Sequence, residues 1–382
     1  MKVLHWNRDF FPKSGGGPTH VAGLISSMRH INHVVITDDL TGLDRKENYQ
    51  SNSKIIRFPS KPCKKVNVNN RILRYLNNLC CEIGCINEKI HYATNNQYEI
   101  LHVHGLGLYS FLATLNKYLY VDLYNHMLNF SNIRKPKVLT LHNLMISNEM
   151  VNKIYDNFIK QFDFIICVDE NIYKYASTRF SSTHCKTNFF YIPNGIDIEK
   201  FKAYDAPIER SFAIGFVGRI ASTVDVEMII LLAQSLPSDI EFKLAISGDT
   251  SRMLEYNFPS NVSVDAYIEN NNMPEFYNRI DILFNPILHG AISRVTLESM
   301  SCGIPVMMYE ASNRSILFSD DNIITVSRSA REVIRKIKFL QRNSKVRNHI
   351  GDSAANLIKV HFSNQVQSKK TQDVYDKALI GV

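Results

Sequence analysis

The chain of 382 residues is 45% hydrophobic, 10% aromatic and 21% charged. This is the composition of a folded protein, and the absence of low-complexity segments and fixed-period repeats excludes a linker-like or solenoid chain. One ordinary core does not extend over this length, so two domains of about 180 residues each are expected. The formal net charge of +8 fits nucleotide phosphates, an anionic membrane face or nucleic acid, and does not choose among them.

Targeting signals and cysteines indicate a cytoplasmic protein. The start, Met1 to Arg8, becomes polar too soon for a signal peptide, and the longest apolar stretch, Gly105 to Tyr124, is interrupted by polar residues and should not span a bilayer. Seven cysteines without a signal peptide indicate reduced thiols. Four cysteines lie close together, but their spacing matches no zinc pattern, and packing within helices is the preferred interpretation: Cys63, Cys80, Cys81 and Cys85.

Short apolar runs alternate with helical patterns, which is typical of βα units around parallel sheets. One helix follows the turn at residues 15–18, with Val21, Leu24, Ile25 and Met28 on one face. The strands predicted in the first half are Lys2–Trp6, His33–Thr37, Lys54–Phe58, Ile100–His104, Lys137–His142, Phe162–Val168 and a last one starting at Phe189.

A second series of the same kind follows a polar segment, Lys200 to Arg210, which is interpreted as the linker. The elements predicted there are strands Phe212–Val217, Phe242–Ser247, Val262–Ile268, Ile282–Asn285, Pro305–Tyr309 and Ile323–Val326, helices Asp225–Leu236, Pro274–Arg279 and Ser293–Ser301, and a helical tail from Ala330 to Leu379.

The expected fold is therefore α/β, with two Rossmann-like domains facing a central cleft. We expect a first domain at residues 1–190 and a second at 191–362, with a C-terminal helix of about 363–382 packing back on the first domain. Ligands of such sheets bind at the carboxyl ends of the strands.

Three polar features follow predicted strands. The loop Gly15-Gly16-Gly17 opens a helix, where backbone N–H groups suit a phosphate, and a plain tight turn is the alternative. Arg219 follows the first strand of the second domain and can hold a diphosphate or form a surface salt bridge. Glu298, on a helix beside the expected cleft, can accept hydrogen bonds from two ribose hydroxyls. The alternative is that it interacts with a helix dipole or forms a salt bridge.

Three histidines end strands of the first domain: His102, His104 and His142. We expect all three to point toward the cleft, although a single strand-end histidine is more often structural than catalytic.

These pieces, in this order, resemble the retaining glycosyltransferases of family 4 (glycosyl transferases group 1), which have the GT-B fold. The matching segments cover nearly the whole chain. They are the Gly15-Gly16 loop, His102-Val103-His104, Thr140-Leu141-His142, Pro193-Asn194-Gly195-Ile196-Asp197, Phe216-Val217-Gly218-Arg219 and residues 293–306 from Ser293 to Val306.

The resemblance implies a retaining hexosyl- or pentosyltransferase in which the first domain is on the acceptor side and the second binds the nucleotide-sugar. It places Gly15 and Gly16 near the donor phosphates and Arg219 on the diphosphate. It places Glu298 on the ribose and His142 near the reacting sugar. It implies no metal and no cofactor, because the nucleotide-sugar is a substrate. No Asp-x-Asp donor motif stands out in the chain.

The chain departs from the family pattern at two positions. Val224 stands where the family usually has a second diphosphate cation, a lysine, and Gly290 stands where it has a glutamate that touches the donor sugar. His289 and Arg294 are the nearest side chains that could compensate, and both are counted among the donor-binding candidates.

Acceptor binding is assigned to the first domain, at His104 and at the stretch Asn69–Cys85. That stretch carries Arg71 and Arg74 among apolar residues. A basic amphipathic helix of this kind can rest on the inner face of an anionic membrane and reach a lipid-linked acceptor, whereas a solvated helix with one face in the core is the alternative.

Three functions remain open. The first is a cytoplasmic retaining glycosyltransferase of surface polysaccharide or glycolipid biosynthesis, which binds a nucleotide-sugar donor and a carbohydrate or lipid-linked acceptor. The second is a catalytically silent GT-B-like partner or acceptor-binding subunit, which Val224 and Gly290 favour. The third is a nucleic-acid glycosyltransferase, although the sequence shows no stripe of basic and aromatic residues that would favour it.

Overall fold

The computed structural model describes residues 1–12, 15–39, 43–59, 71–105, 129–142, 156–181, 187–204, 210–221, 223–247, 256–288, 292–310, 315 and 317–381, without the side chains of residues 71–82 and 181. The chain forms two compact units. Unit 1 comprises Met1–Asn194 and Gln367–Val382, and unit 2 comprises Gly195–Val366.

Unit 1 is built on an eight-stranded sheet with the order β3-β4-β2-β1-β5-β6-β7-β8. All neighbouring pairs are parallel except β3 with β4. Its strands are β1 (Lys2–Asn7), β2 (Asn32–Asp39), β3 (Lys46–Gln50), β4 (Ser53–Pro59), β5 (Ile100–His104), β6 (Lys137–Leu141), β7 (Phe164–Cys167) and β8 (Asn188–Tyr191). Buried residues, most of them apolar, fill almost every position of the central strands, because helices cover such sheets on both faces.

The helices of the first segment whose bounds lie within the described residues are α1 (Gly16–Ser27), α2 (Arg71–Asn95) and α3 (Glu170–Ser181). The predicted apolar face of α1 is confirmed, since Val21, Leu24, Ile25 and Met28 are all buried. The C-terminal helix α9 (Asn364–Ile380) places Val374, Tyr375 and Ala378 in the same core as β1 and α1.

Unit 2 contains a six-stranded, all-parallel sheet with the order β11-β10-β9-β12-β13-β14. Its strands are β9 (Ala213–Gly218), β10 (Glu241–Ile246), β11 (Val262–Ala266), β12 (Ile282–Asn285), β13 (Val306–Tyr309) and β14 (Ile324–Val326). Its helices are α4 (Val226–Ser235), α5 (Met273–Asn278), α6 (Arg294–Ser301), α7 (Ala330–Arg342) and α8 (Ser344–His361).

Both sheets have the strand order of the Rossmann fold. When the parallel strands of each unit are counted along the chain, the order in space begins third, second, first, fourth, fifth and sixth. The order reverses between β1 and β5 in unit 1, and between β9 and β12 in unit 2. Ligands of doubly wound sheets bind at this switch point, so the loops after these four strands are the places to look for a site. The predicted α/β fold with two Rossmann-like domains is confirmed.

Two details differ from the prediction. The strand β3 was not expected, because its sequence Lys-Glu-Asn-Tyr-Gln is polar and its pairing with β4 is a backbone contact at the sheet edge. The units divide after Asn194, upstream of the polar segment interpreted as the linker. In that segment Phe201 is buried in the core of unit 2, which makes it part of that unit.

No helix in the described ranges combines the length and the apolar composition that a membrane span needs. The apolar stretch from Gly105 to Tyr124 lies outside the described residues beyond its first position.

Candidate functional site

The carboxyl end of β9 in unit 2 presents an exposed arginine. Gly218 ends the strand with a φ of +156°, a backbone conformation that side chains rarely adopt, and Arg219 follows it. No ion pair joins Arg219 to another residue that the structure describes. Its guanidinium is therefore available for an anion at the switch point, as the prediction of a diphosphate contact requires.

Glu298 is buried on α6, and both of its carboxylate oxygens have partners. Arg294, one helical turn earlier, donates from Nε to Oε1 at 2.9 Å, and the Tyr277 hydroxyl donates to Oε2 at 3.1 Å. Arg294 also donates from Nη1 to the carbonyl of Gly195 at 3.1 Å. The arginine thus connects α6 to the turn that begins unit 2, and in this structure its guanidinium pairs with Glu298.

Charge and burial oppose each other at this carboxylate. Burial raises the pKa of Glu298, and the Arg294 guanidinium together with the Tyr277 hydrogen bond counteracts part of that effect. Burial also lowers the pKa of the nearby Lys200 ammonium, which donates to Asn271 Oδ1 at 3.0 Å. Each carboxylate oxygen keeps a second lone pair, so Glu298 can accept a ribose hydroxyl without losing its present partners.

Asn285 ends β12 beside the start of α6. Its Nδ2 donates to Thr296 Oγ1 at 2.9 Å, and the helix is capped by the Ser293 side chain, which accepts from the Thr296 N–H. The Oδ1 of Asn285 is buried and has no hydrogen-bond partner among the described residues. Sequence reasoning did not single out this amide, although its place at the end of a switch-point strand is a usable signal.

The two departures have different outcomes. Val224 packs its side chain against the core of unit 2, and its backbone forms an isolated bridge with Ile287, so an apolar residue suits this position structurally. His289 and Gly290 lie outside the described residues, and their predicted roles remain predictions.

In unit 1 the glycine loop opens α1. Gly15 precedes the helix with a φ of +154°, and its carbonyl accepts from the Thr19 N–H at 3.1 Å. Gly15 and Gly16 are exposed, and no described atom lies within 4 Å of a Cβ built on Gly16. The first N–H groups of a helix lack partners within it, so this end can accept an anion.

A group of histidines lies under this helix at the carboxyl ends of β5 and β6. The rings of His20 and His142 are edge to face with centroids 4.7 Å apart, and those of His20 and His104 are 5.4 Å apart. One ring nitrogen of each of the three lies within 4.8 Å of the others. Their nitrogens could approach one metal ion or one small polar group. The ligand atoms of His5, His102 and His104 are equally close, but hydrogen bonds to protein groups already engage His5 and His102.

His102 has a structural role. Its Nδ1 lies 2.6 Å from the Tyr375 hydroxyl of α9 and its Nε2 lies 2.7 Å from Thr140 Oγ1. Burial, followed by the neighbouring His142 and His33, lowers its pKa to about 3. This residue therefore stays neutral and tied to the core.

Three further histidines, His5, His20 and His33, belong to the same group and were missed from the sequence. His5 and His33 each lie within an apolar strand, where a single polar residue carries no local signal of its partners, and His20 is buried on α1. The remaining predicted positions are Arg71 and Arg74. Both lie on α2, and the structure does not describe their side chains. Among the four clustered cysteines only Cys85 is described, and it is a buried free thiol.

Comparison with known proteins identifies unit 2. Residues 197–357, almost all of that unit, match the family model described as Glycosyl transferases group 1. Unit 2 is a group 1 glycosyltransferase domain. The resemblance deduced from the sequence is thereby confirmed for this segment.

The whole chain is similar in fold to solved glycosyltransferase structures. Sucrose-phosphate synthase from Thermosynechococcus elongatus superposes with a TM-score of 0.77 at 14% identity, covering 100% of both chains. HepE from Anabaena, in complex with UDP and glucose, has a TM-score of 0.72 at 14% identity over 99% of this chain and 100% of its own. A glycosyltransferase from Rickettsia africae has a TM-score of 0.66 at 13% identity over 99% and 98%. At these identities the similarity shows the fold, which is GT-B. No curated protein sequence is significantly similar to this chain.

The group 1 domain holds four of the sequence-derived donor candidates. Arg219, His289, Arg294 and Glu298 all fall within the matched segment, as does Val224. The structure brings Arg294 and Glu298 into direct contact and leaves Arg219 apart from them at another strand end. In unit 1, Gly15 and Gly16 lie at the N-terminus of α1, and His104 and His142 lie at the carboxyl ends of β5 and β6.

Proposed function

We propose that the protein is a retaining glycosyltransferase that moves a sugar from a nucleotide-sugar donor to a carbohydrate or lipid-linked acceptor. The observation that carries the proposal is Arg219, an exposed cation at the switch point of a group 1 domain. A leaving nucleoside diphosphate develops negative charge, and a preorganised guanidinium stabilises that charge most in the transition state.

The fold relative HepE was crystallised with UDP and glucose, which makes a uridine nucleotide the first candidate. A nucleotide that binds only the folded state raises the midpoint of thermal unfolding. We therefore expect one member of a panel of UDP, GDP, ADP, CMP and TDP to raise it. The effect should weaken in Arg219→Ala and persist in a control variant at the exposed Arg331 on α7. A panel without any shift would contradict the proposal.

The donor sugar is proposed to lie outside the common glucose and N-acetylglucosamine donors. Gly290 offers only backbone groups where the family has a carboxylate, and a hexose hydroxyl buried without its partner costs about 1–3 kcal/mol. A pentose, a deoxy or amino sugar, or a sugar bound by His289 avoids this cost. A donor screen with product detection by mass spectrometry tests the idea, and efficient turnover of UDP-glucose or UDP-N-acetylglucosamine would contradict it. The anomeric configuration of the product, measured by NMR, tests retention.

A second candidate is a silent GT-B-like partner. This candidate is favoured by Val224, which packs its side chain against the core of unit 2 at the position where the family usually has a second diphosphate cation. This reading predicts nucleotide or acceptor binding without turnover of any donor. Binding together with turnover would exclude it.

The acceptor and the place of action are proposed from sequence alone. The basic sequence at the start of α2 fits a lipid-linked acceptor in surface polysaccharide or glycolipid biosynthesis at the inner face of a membrane. Co-sedimentation with vesicles containing an anionic lipid should be lost when Arg71 and Arg74 are both replaced by glutamine. Equal binding of the double variant would contradict this contact.

A further inference from the structure

Three histidines in unit 1 form a continuous line of hydrogen bonds across three strands. His33 on β2 lies with Nε2 3.1 Å from the carbonyl oxygen of Met28 and with Nδ1 2.9 Å from Nε2 of His5 on β1. The Nδ1 of His5 is in turn 2.9 Å from Nε2 of His104 on β5. All three rings are buried. The line therefore runs from a backbone carbonyl to the carboxyl end of β5.

The carbonyl oxygen sets the position of every proton along this line. An oxygen of this kind only accepts, so His33 carries its proton on Nε2. Burial lowers the pKa of His33 to about 4 and those of His5 and His104 well below the ordinary value, so each ring is neutral and has one N–H. His33 Nδ1 must then accept from His5 Nε2, and His5 Nδ1 must accept from His104 Nε2. The Nδ1 of His104 is left with a lone pair and no proton.

The free end of the line faces another buried atom without a partner. His104 Nδ1 has no hydrogen-bond partner among the residues described, and the same is true of Nδ2 of Asn7. Asn7 is the register partner of His104 at the end of β1, and its amide lies 3.6–3.7 Å from the position of a Cβ built on Gly17. Both side chains are buried to about 5% exposure under the start of α1. One acceptor and one donor are thus left open side by side, next to the glycine loop.

We propose that His104 Nδ1 and the Asn7 amide form a subsite for a hydroxyl group of the sugar substrate, and that His5 and His33 are positioning residues that keep His104 an acceptor. The inference rests on the proposed function, because a sugar is the ligand whose hydroxyls both donate and accept. The hydroxyl donates to His104 Nδ1 and accepts from Asn7. The diphosphate of a nucleotide-sugar is fully ionised at neutral pH and has no proton to donate, so this point selects against the anion that the neighbouring helix end attracts.

The position of the protons is directly measurable. In protein labelled with 15N-histidine, long-range proton–nitrogen correlation spectra distinguish a protonated from an unprotonated ring nitrogen. We expect His104 to carry its proton on Nε2 throughout pH 6–8. The variant His33→Asn keeps an acceptor for His5 and should preserve this state, whereas His33→Leu removes the acceptor and should give His104 a mixture of both tautomers. A wild-type His104 protonated on Nδ1, or an unchanged tautomer in His33→Leu, would overturn the proposal.

The ligand is tested with glucose, xylose and UDP-xylose as probes and with inorganic sulfate, which has no proton to donate at neutral pH, as the control. A hydrogen bond donated to an unprotonated ring nitrogen changes its resonance, so a sugar should shift His104 Nδ1 in a saturable way and sulfate should not. A shift by sulfate alone, by no sugar, or by Zn²⁺ in competition with the sugar would overturn the subsite.

The two proposals fail in different ways. Turnover of a donor with the His104 resonance unmoved overturns the subsite and leaves the glycosyltransferase function intact. A sugar-dependent shift without turnover of any donor supports the subsite and contradicts the enzymatic function.

Discussion

Lowering the pH from 8 to 5 should destabilise unit 1 through four buried histidines. The folded pKa is about 4 for His33 and about 3 for His102, and burial holds those of His5 and His104 well below the ordinary value. In the unfolded chain each ring titrates near 6.5. Below that pH the unfolded state binds protons that the folded unit excludes. The stability from the neutral rings is complete above pH 6.5 and is lost as the pH falls toward the folded pKa values.

The size of the loss follows from the same values. At pH 5 His33 and His102 are almost fully protonated in the unfolded chain and neutral in the folded unit, which costs about 2 kcal/mol per residue. These two rings together should cost about 4 kcal/mol, and His5 and His104 act in the same direction. This is a large part of the free energy of unfolding of a typical domain, about 5–15 kcal/mol.

Urea unfolding at pH 8, 7, 6 and 5 measures this loss, and hydrogen exchange of peptides from β1, β2 and β5 locates it in unit 1. The slope at pH 5 should correspond to about two protons taken up on unfolding by His33 and His102, and the contribution of His5 and His104 adds to it. The variant His33→Asn should reduce it by about one proton, and replacement of the exposed His91 by glutamine on α2 should leave proton uptake by the buried group unchanged. Equal stability at pH 8 and pH 5, or resonances of the four rings that titrate near pH 6.5, would refute the reasoning.

Three substitutions test the remaining site assignments, and two more test the packing around glycines. Arg219→Ala should lower kcat/KM by the equivalent of about 2–4 kcal/mol with an unchanged melting temperature, and near-normal turnover would remove the arginine from the diphosphate. Glu298→Gln should weaken nucleotide binding in calorimetry more than it lowers kcat, because ribose contacts persist through the reaction, and an unchanged Kd would contradict the ribose contact. His142→Ala should lower kcat with little effect on nucleotide Kd, and an equal loss of binding would move the histidine away from the sugar. Gly351→Ala should cost about 3 kcal/mol in urea unfolding, because its Cβ would lie 2.0 Å from a carbonyl oxygen. At the exposed helical Gly84, which has no atom within 4 Å of a built Cβ, alanine should stabilise by about 0.5–1 kcal/mol, and equal effects at both positions would contradict the steric argument.

The buried strands could be predicted because their sequences report their environment. In a parallel sheet covered on both faces, each strand is a short apolar run, and β5 and β12 have the predicted bounds. β3 carries no such signal, because its residues are polar and partly exposed and only its backbone pairs with β4.

The polar contacts of the site divide in the same way. Arg294 and Glu298 are four residues apart on one helix, so their ion pair was available from spacing alone. The second partner of this carboxylate, Tyr277, lies on another helix, so the spacing of residues could not predict this hydrogen bond. The sequence therefore predicts which residues are donor candidates, but it does not predict all of the contacts that these residues make in the ligand-free protein.

The histidine line shows most clearly what the sequence cannot supply. His5 and His104 are 99 residues apart, and His5 and His33 are 28 apart, so no local pattern relates them. Their meeting depends on the strand order, which places β1 between β2 and β5. Once the rings meet, burial makes them neutral and one backbone carbonyl fixes the direction of every hydrogen bond. The Nδ1 of His104 is therefore an acceptor rather than a donor because of the Met28 carbonyl oxygen, which is separated from His104 by the rings of His33 and His5. A residue type names the groups that a side chain can offer, and the fold decides which of them it offers.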